Sequence, residues 1–300
     1  MPSLRIKKRS GKMANLDVSQ IQKQTYDATL DLPGVSQSEL EVDAQIKFVD
    51  GMASTEVQSA LVTTAVDKID IDVPNWTFVA ARLFLYDLYH IVAKSTKTAK
   101  KTRYGPFSTY LEHGITTGRI IPSLADGYDI NDLDSYLEPS RDFQFNYLGI
   151  KTLYDRYLLK DNKRCPIELP QQMFMGIAMF LAQNEEDKQE KAKAFYDVIS
   201  KFEVMLATPT LSNARTNRHQ LSSCYIGSSP DNIEGIFDGY KEMALLSKFG
   251  GGIGWDINLI RSLASSIDDT PGASGGVVPP VKIINDVANY VDQLGKQMPA

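Results

Sequence analysis

Three consecutive glycines, Gly250, Gly251 and Gly252, close a helix-length segment that begins at Ile233, and Gly254 stands two residues further on. Without a Cβ the main chain can turn tightly and a ligand can approach the backbone, so this bend limits what its flanks can be. Ahead of it, Ser223-Cys224-Tyr225-Ile226 reads as a short strand carrying a thiol, and behind it Ile253-Gly254-Trp255-Asp256-Ile257 reads as another. Met205-Leu206-Ala207 supplies a third strand-like run. Strands separated by a helix imply an α/β sheet or barrel with parallel strands. The pattern G-x-G-x-x-G is absent, so the bend does not read as a dinucleotide fold. A thiol strand, a helix and a bare-backbone bend together suggest a redox site that handles nucleotides. Taken singly, Cys224 also fits a buried structural thiol, and the glycines a plain turn.

Composition narrows the classes. Three hundred residues, 43% hydrophobic, suffice for two or three domains with real cores. A net charge of -5 argues against a protein that coats nucleic acid, since phosphate neutralisation favours a basic surface. Two cysteines, Cys165 and Cys224, make no disulfide framework and no C-x-x-C zinc pair. Cys165, beside Pro166, reads as an incidental thiol in a turn. With three histidines (His90, His113 and His219) a His-rich metal site is not expected. The start, MPSLRIKKRSGKM, is basic but has no apolar run behind it, so neither a secretory leader nor a membrane span is expected. A reducing cytoplasm follows, where a disulfide would be transient and catalytic.

In chain order, residues 1–95 read as one small module. Leu4 to Lys8 alternates like a strand and Arg9-Ser10-Gly11-Lys12 turns it into a hairpin. Asp17 caps a helix to about Leu30, and Ser36 with Glu39 fits a capping box before a helix to about Phe48. Ser54 or Thr55 caps a third helix with the apolar face Val57, Leu61, Ala65 and Ile69. Pro74 opens a fourth from Trp76 to about Val92. Lys94 to Arg103 is a basic joint that reads as a solvated linker. Residues 96–204 read as a helical domain, with helices over 107–118, 124–137, 147–159, 171–183 and 187–204. The alternating Phe143, Phe145 and Tyr147 suggest a short strand. Residues 205–300 carry the strands, the glycine bend, a polar loop over 265–276 and a last helix over 281–294.

Two sets of motifs resemble one family. Lys8-Arg9-Ser10-Gly11, Phe48-Val49-Asp50-Gly51 and Val79-Ala80-Ala81-Arg82-Leu83 resemble the ATP-cone, a regulatory nucleotide-binding module. ATPTLSNARTNRHQLSSC and EMALLSKFGGGIGWDINLIRS resemble the large catalytic subunit of class I ribonucleotide reductases. The resemblance implies an ATP-cone over 1–95, mostly helical with a small β-hairpin, a helical domain over 96–204, and the first half of a ten-stranded α/β barrel over 205–300. It implies radical-based reduction of ribonucleoside diphosphates, in which Cys224 is one of two thiols that reduce the 2′ carbon and become a disulfide. It assigns Thr208, Ser222, Ser223, Gly251 and Gly252 to the substrate. Asp231, Arg261 and Ile267 go to a specificity site for deoxyribonucleoside triphosphates, with Asn232, adjacent to Asp231, as a second contact. Lys8, Arg9, Ser54 and Gln58 go to an activity site for ATP or dATP, with Gln58 standing where better-studied members have histidine. Arginine suits phosphate through its planar fork.

The same resemblance implies partners: a radical-generating small subunit that carries the metal, a thioredoxin or glutaredoxin as reductant, and a homo-oligomer. No metal, nucleic acid or membrane is expected for this chain. The loop that begins near Asp292-Gln293-Leu294-Gly295 and continues through Lys296-Gln297-Met298 is expected to relay effector identity to substrate choice. The radical cysteine and the second redox cysteine are not among these residues, so the chain is expected to be a fragment or one half of a split enzyme, inactive alone and completed by a C-terminal half. Two other readings stand beside this one. One is a nucleotide-sensing regulatory or assembly module without catalysis; the other is a cobalamin-dependent reductase.

Overall fold

The alternation at the N-terminus folds as a hairpin. In the computed structural model, which describes residues 4–98, 104–248, 251–268 and 271–291, β1 (Arg5–Lys7) pairs antiparallel with β2 (Met13–Asn15). Phe249, Gly250, the basic residues Lys100, Lys101 and Arg103 of the joint, and the expected relay loop from Asp292 to Met298 lie outside the described residues. The chain divides into two compact units, Met1–Met205 and Leu206–Ala300.

Four helices follow the hairpin: α1 (Val18–Thr29), α2 (Gln37–Gln45), α3 (Ser54–Asp67) and α4 (Trp76–Ser95). Asp17 and Ser36 cap the first two, accepting from the Gln20 and Glu39 amides at 3.2 and 3.3 Å. The Glu39 carboxylate meets Lys68 at 2.6 Å, which ties α2 to the end of α3. Neither Ser54 nor Thr55 caps α3. Ala53 holds that position, and Glu56 stabilises the start by accepting from the Ala53 amide at 2.5 Å. Val57, Leu61 and Ala65 are buried as expected, but Ile69 lies beyond the helix end and is exposed. Leu40, Ala44, Leu61, Ala65, Val79 and Leu83 form one core with Trp76. Each fully buried leucine contributes roughly 1.5–3 kcal/mol to that core.

The rest of this unit is helical: α5 (Phe107–Thr116), α6 (Ile130–Tyr136), α7 (Tyr147–Thr152), α8 (Pro170–Ala182) and α9 (Lys188–Ser200). The helix expected over 124–137 is broken at Gly127, where φ of +69° separates a 3-10 turn, Pro122–Ala125, from α6. The strand expected at Phe143–Tyr147 is absent. A 3-10 turn, Pro139–Gln144, runs into α7, whose start is held by Asn146 accepting from the Gly149 amide at 2.7 Å. A local cap outweighs the alternation here, and Phe145 packs instead against Phe174 and Phe202. The helix expected over 147–159 continues beyond α7 only as a π turn, Leu153–Tyr157. The helix expected over 187–204 ends at Ser200, and Phe202 turns the chain at φ +61°. Beyond Gln171 and Gln172 in its first turn, helix α8 carries no polar side chain, and it is buried along almost its whole length. Helix α4 packs against α1, α3 and α7, so residues 1–95 and 96–204 share it.

The C-terminal unit holds α10 (Thr208–Asn213), β3 (Cys224–Ser228), α11 (Ile233–Lys248), β4 (Gly252–Asp256) and α12 (Val278–Val291). The strand expected at Met205–Ala207 does not form: Ala207 is the N-cap of α10, and Pro209 falls in its first turn, where proline favours a helix start. Strands β3 and β4 run parallel, in the register Cys224 with Gly252 and Gly227 with Trp255. Helix α11 is the crossover between them, as the spacing of the sequence requires. Among the described residues this unit is the start of an α/β layer and no closed barrel.

Candidate functional site

Cys224 is the first residue of β3 and its thiol is free and exposed. The Gly252 amide donates to the Ser223 carbonyl at 2.8 Å, which lays bare backbone next to that thiol. A Cβ at Gly252 would stand 3.5 Å from Cys224 Sγ. Gly251 is constrained more tightly, since a Cβ there would come within 2.6 Å of the Tyr225 ring. Tyr225 in turn holds the Gln220 amide through its hydroxyl, and Gln220 also donates to the Ser222 carbonyl at 2.8 Å. Asn213, the last residue of α10, donates its side-chain amide to the Gln220 carbonyl at 3.0 Å; Thr208 is the first residue of the same helix. The structure therefore gathers Cys224, Ser222, Ser223, Gly251 and Gly252 around one strand end, and ties to it the end of α10 opposite Thr208.

The other end of β3 is a separate place. Four residue steps at about 3.3 Å put Ser228 roughly 13 Å from Cys224. Just beyond it, Arg261 Nε donates to Asp231 Oδ2 at 2.6 Å, and the same guanidinium donates to the Ser266 carbonyl at 3.0 Å. The Arg261 hydrogen bond, with the positive charge behind it, holds the Asp231 carboxyl below its ordinary range. Ile267 follows Ser266 and is exposed. Asn232 accepts from the Gly235 amide at 2.8 Å and so pins the first turn of α11. Asp231 and Arg261, thirty positions apart, thus meet at one turn, and Arg261 also reaches the Ser266 carbonyl beside Ile267.

A third group lies in the N-terminal unit. The Lys7 amide donates to the Met52 carbonyl at 2.9 Å, bringing the hairpin alongside the entry to α3, where Ser54 stands. Gln58, one turn into α3, is buried and donates to the Leu83 carbonyl of α4 at 2.8 Å. Arg9 forms an ion pair with Asp87, one turn further along α4. Lys8 is exposed. Asp87 was not singled out in the sequence, because its position on the hairpin-facing side of α4 is set by helix packing alone.

Among the described residues no group of three or more His, Cys, Asp or Glu side chains could hold a metal ion. No described helix is long and apolar enough to cross a membrane.

Comparison with known proteins decides the family. Residues 143–219 match the all-alpha domain of ribonucleotide reductase, and residues 222–300 match its barrel domain. The chain belongs to the ribonucleotide reductase large-subunit family. It is 62% identical over 288 residues to the ribonucleoside-diphosphate reductase subunit alpha of Helicobacter pylori (strain ATCC 700392 / 26695), covering 96% of this chain and 36% of that protein. It is 38% identical over 236 residues to the subunit alpha of Treponema pallidum, covering 78% and 28%. It is 36% identical over 228 residues to the large subunit of variola virus, covering 75% and 29%. The chain spans about a third of the length of the curated relatives it matches.

Proposed function

We propose that this chain is the effector-binding and thiol-bearing part of a ribonucleoside-diphosphate reductase large subunit. Ribonucleoside diphosphate binds where Thr208, Ser222, Ser223 and the backbone of Gly251 and Gly252 surround Cys224. The net reaction takes a ribonucleoside diphosphate and two thiols to a deoxyribonucleoside diphosphate, one disulfide and water. Cys224 supplies one sulfur, a second cysteine of the full-length protein supplies the other, and the 2′ hydroxyl leaves as water after protonation. A separate small subunit generates the radical, and a thioredoxin- or glutaredoxin-type dithiol restores the pair by exchange. A reducing cytoplasm suits that cycle.

The observation that supports this reading most directly is the exposed Cys224 thiol lying against the bare backbone of Gly252. A structural thiol is normally buried. Regulation is assigned to two sites. Asp231, Asn232, Arg261 and Ile267 form the specificity site for deoxyribonucleoside triphosphates. Lys8, Arg9, Ser54 and Gln58, in an ATP-cone over 1–95, form the activity site for ATP or dATP, and the helical segment 96–204 joins it to the start of a ten-stranded barrel over 205–300. The test is Cys224→Ser in the full-length protein with its small subunit and reductant. Deoxyribonucleoside diphosphate formation is expected to vanish while ATP and dTTP still bind. Retained turnover in that variant removes the catalytic reading and leaves a nucleotide-sensing module.

A further inference from the structure

The turn that carries Asp231 is held from behind by a side chain with no role in the reading above. Trp255, in β4, donates its indole N–H to Ser229 Oγ at 2.9 Å, and Ser229 is only 2% exposed. Ser229 stands two residues before Asp231, whose carboxylate and carbonyl both accept from Arg261. The indole occupies room left by two glycines. A Cβ at Gly227, its register partner in β3, would fall inside the ring, and one at Gly239 in α11 would come within 2.9 Å of it. Strand, crossover helix and effector turn therefore close on one aromatic ring, with its single donor aimed at the turn.

We propose that Trp255 is a positioning residue for the nucleotide-effector site, fixing through Ser229 the place from which Asp231 presents Arg261 to the triphosphate. This rests on the assignment of Asp231 and Arg261 to a deoxyribonucleoside triphosphate. The physical basis is the directionality of the indole N–H. Packing is non-directional, whereas a hydrogen bond to a buried hydroxyl adds an orientation to the turn and hence to the Asp231–Arg261 pair.

The test uses the full-length protein, with dTTP as probe and affinity read by equilibrium dialysis. Trp255→Phe keeps a ring between the glycines and loses only the donor; Ser229→Ala loses only the acceptor. Each is expected to weaken dTTP binding about 3- to 10-fold, the range of one hydrogen bond. The double variant is expected to bind no more weakly than the worse single one, because both remove the same interaction. ATP affinity at the hairpin site, in the other unit, is expected to stay at the parental value, and the urea midpoint of the C-terminal unit is expected to lie well above the assay condition, which excludes unfolding of that unit as the cause. Arg261→Gln, measured alongside, is expected to lose dTTP binding. If it does so while Trp255→Phe and Ser229→Ala bind like the parent, or weaken binding additively, the positioning role is overturned and the effector site stands. If Arg261→Gln binds dTTP like the parent, the effector assignment falls, and the proposal with it.

Discussion

The two units of this chain differ in the core they hold among the described residues. The N-terminal unit has a large apolar core with polar groups buried inside it. Asp142 is fully buried and accepts from the Tyr89 and Tyr104 hydroxyls at 2.8 and 2.6 Å and from the Gln171 amide at 2.9 Å. Gln171 in turn accepts from Tyr196 at 2.8 Å. One carboxylate thus joins α4, the segment before α5, α8 and α9. In the C-terminal unit the buried hydrophobics among the described residues are only Leu211, Ala214, Tyr240 and Met243, and Ile226 in β3 is 92% exposed. Parallel strands are ordinarily covered on both faces, and in this chain, which spans about a third of its relatives' length, the described residues leave β3 and β4 largely uncovered. Most of the described core lies in one unit and the candidate thiol in the other.

That contrast can be broken by substitution in the 300-residue chain, read by urea unfolding of each unit. The largest effect is expected at Asp142→Ala, which strands three buried donors and costs on the order of 3–5 kcal/mol. Leu83→Ala, in the core shared by α3 and α4, is expected to cost about 3 kcal/mol. The pH dependence is next. Burial pushes the Asp142 carboxyl up to about 6, against the hydrogen bonds from Tyr104, Gln171 and Tyr89, which favour its ionised form. A folded pKa above the unfolded value means that the folded state holds the proton more tightly. The stability contributed is complete below about pH 4 and disappears as pH rises through about 6, a change on the order of 3 kcal/mol. Asp142→Asn is expected to flatten that slope. Gly227→Ala pushes a methyl into the Trp255 ring and is expected to cost about 1–3 kcal/mol in the C-terminal unit. Ile226→Ala is expected to change stability by no more than about 0.5 kcal/mol. A cost there equal to that of Leu83→Ala would abolish the contrast.

Much of the local structure was legible because local rules set it. The caps at Asp17 and Ser36, the stripe Val57, Leu61 and Ala65, and the thiol and tryptophan strands follow from side-chain oxygens, periodicity and glycine punctuation. In the two segments misread as strands, two local rules competed. Met205–Ala207 has the residues of a strand but is followed by Pro209, which starts a helix. Phe143 to Tyr147 alternates like a strand but contains Asn146, which caps one.

By itself the sequence determined the family, the order of the segments and the residue types available for a thiol and for the two nucleotide sites proposed above. These depend on motifs a few residues long, whose chemistry travels with them. Only the tertiary structure decided which charges meet. Arg261 finds Asp231 thirty positions away, Arg9 finds Asp87 across a helix, and Trp255 finds Ser229 through the space left at Gly227 and Gly239. Such pairings depend on helix rotation and strand register, which many distant contacts set together and no single stretch of sequence encodes.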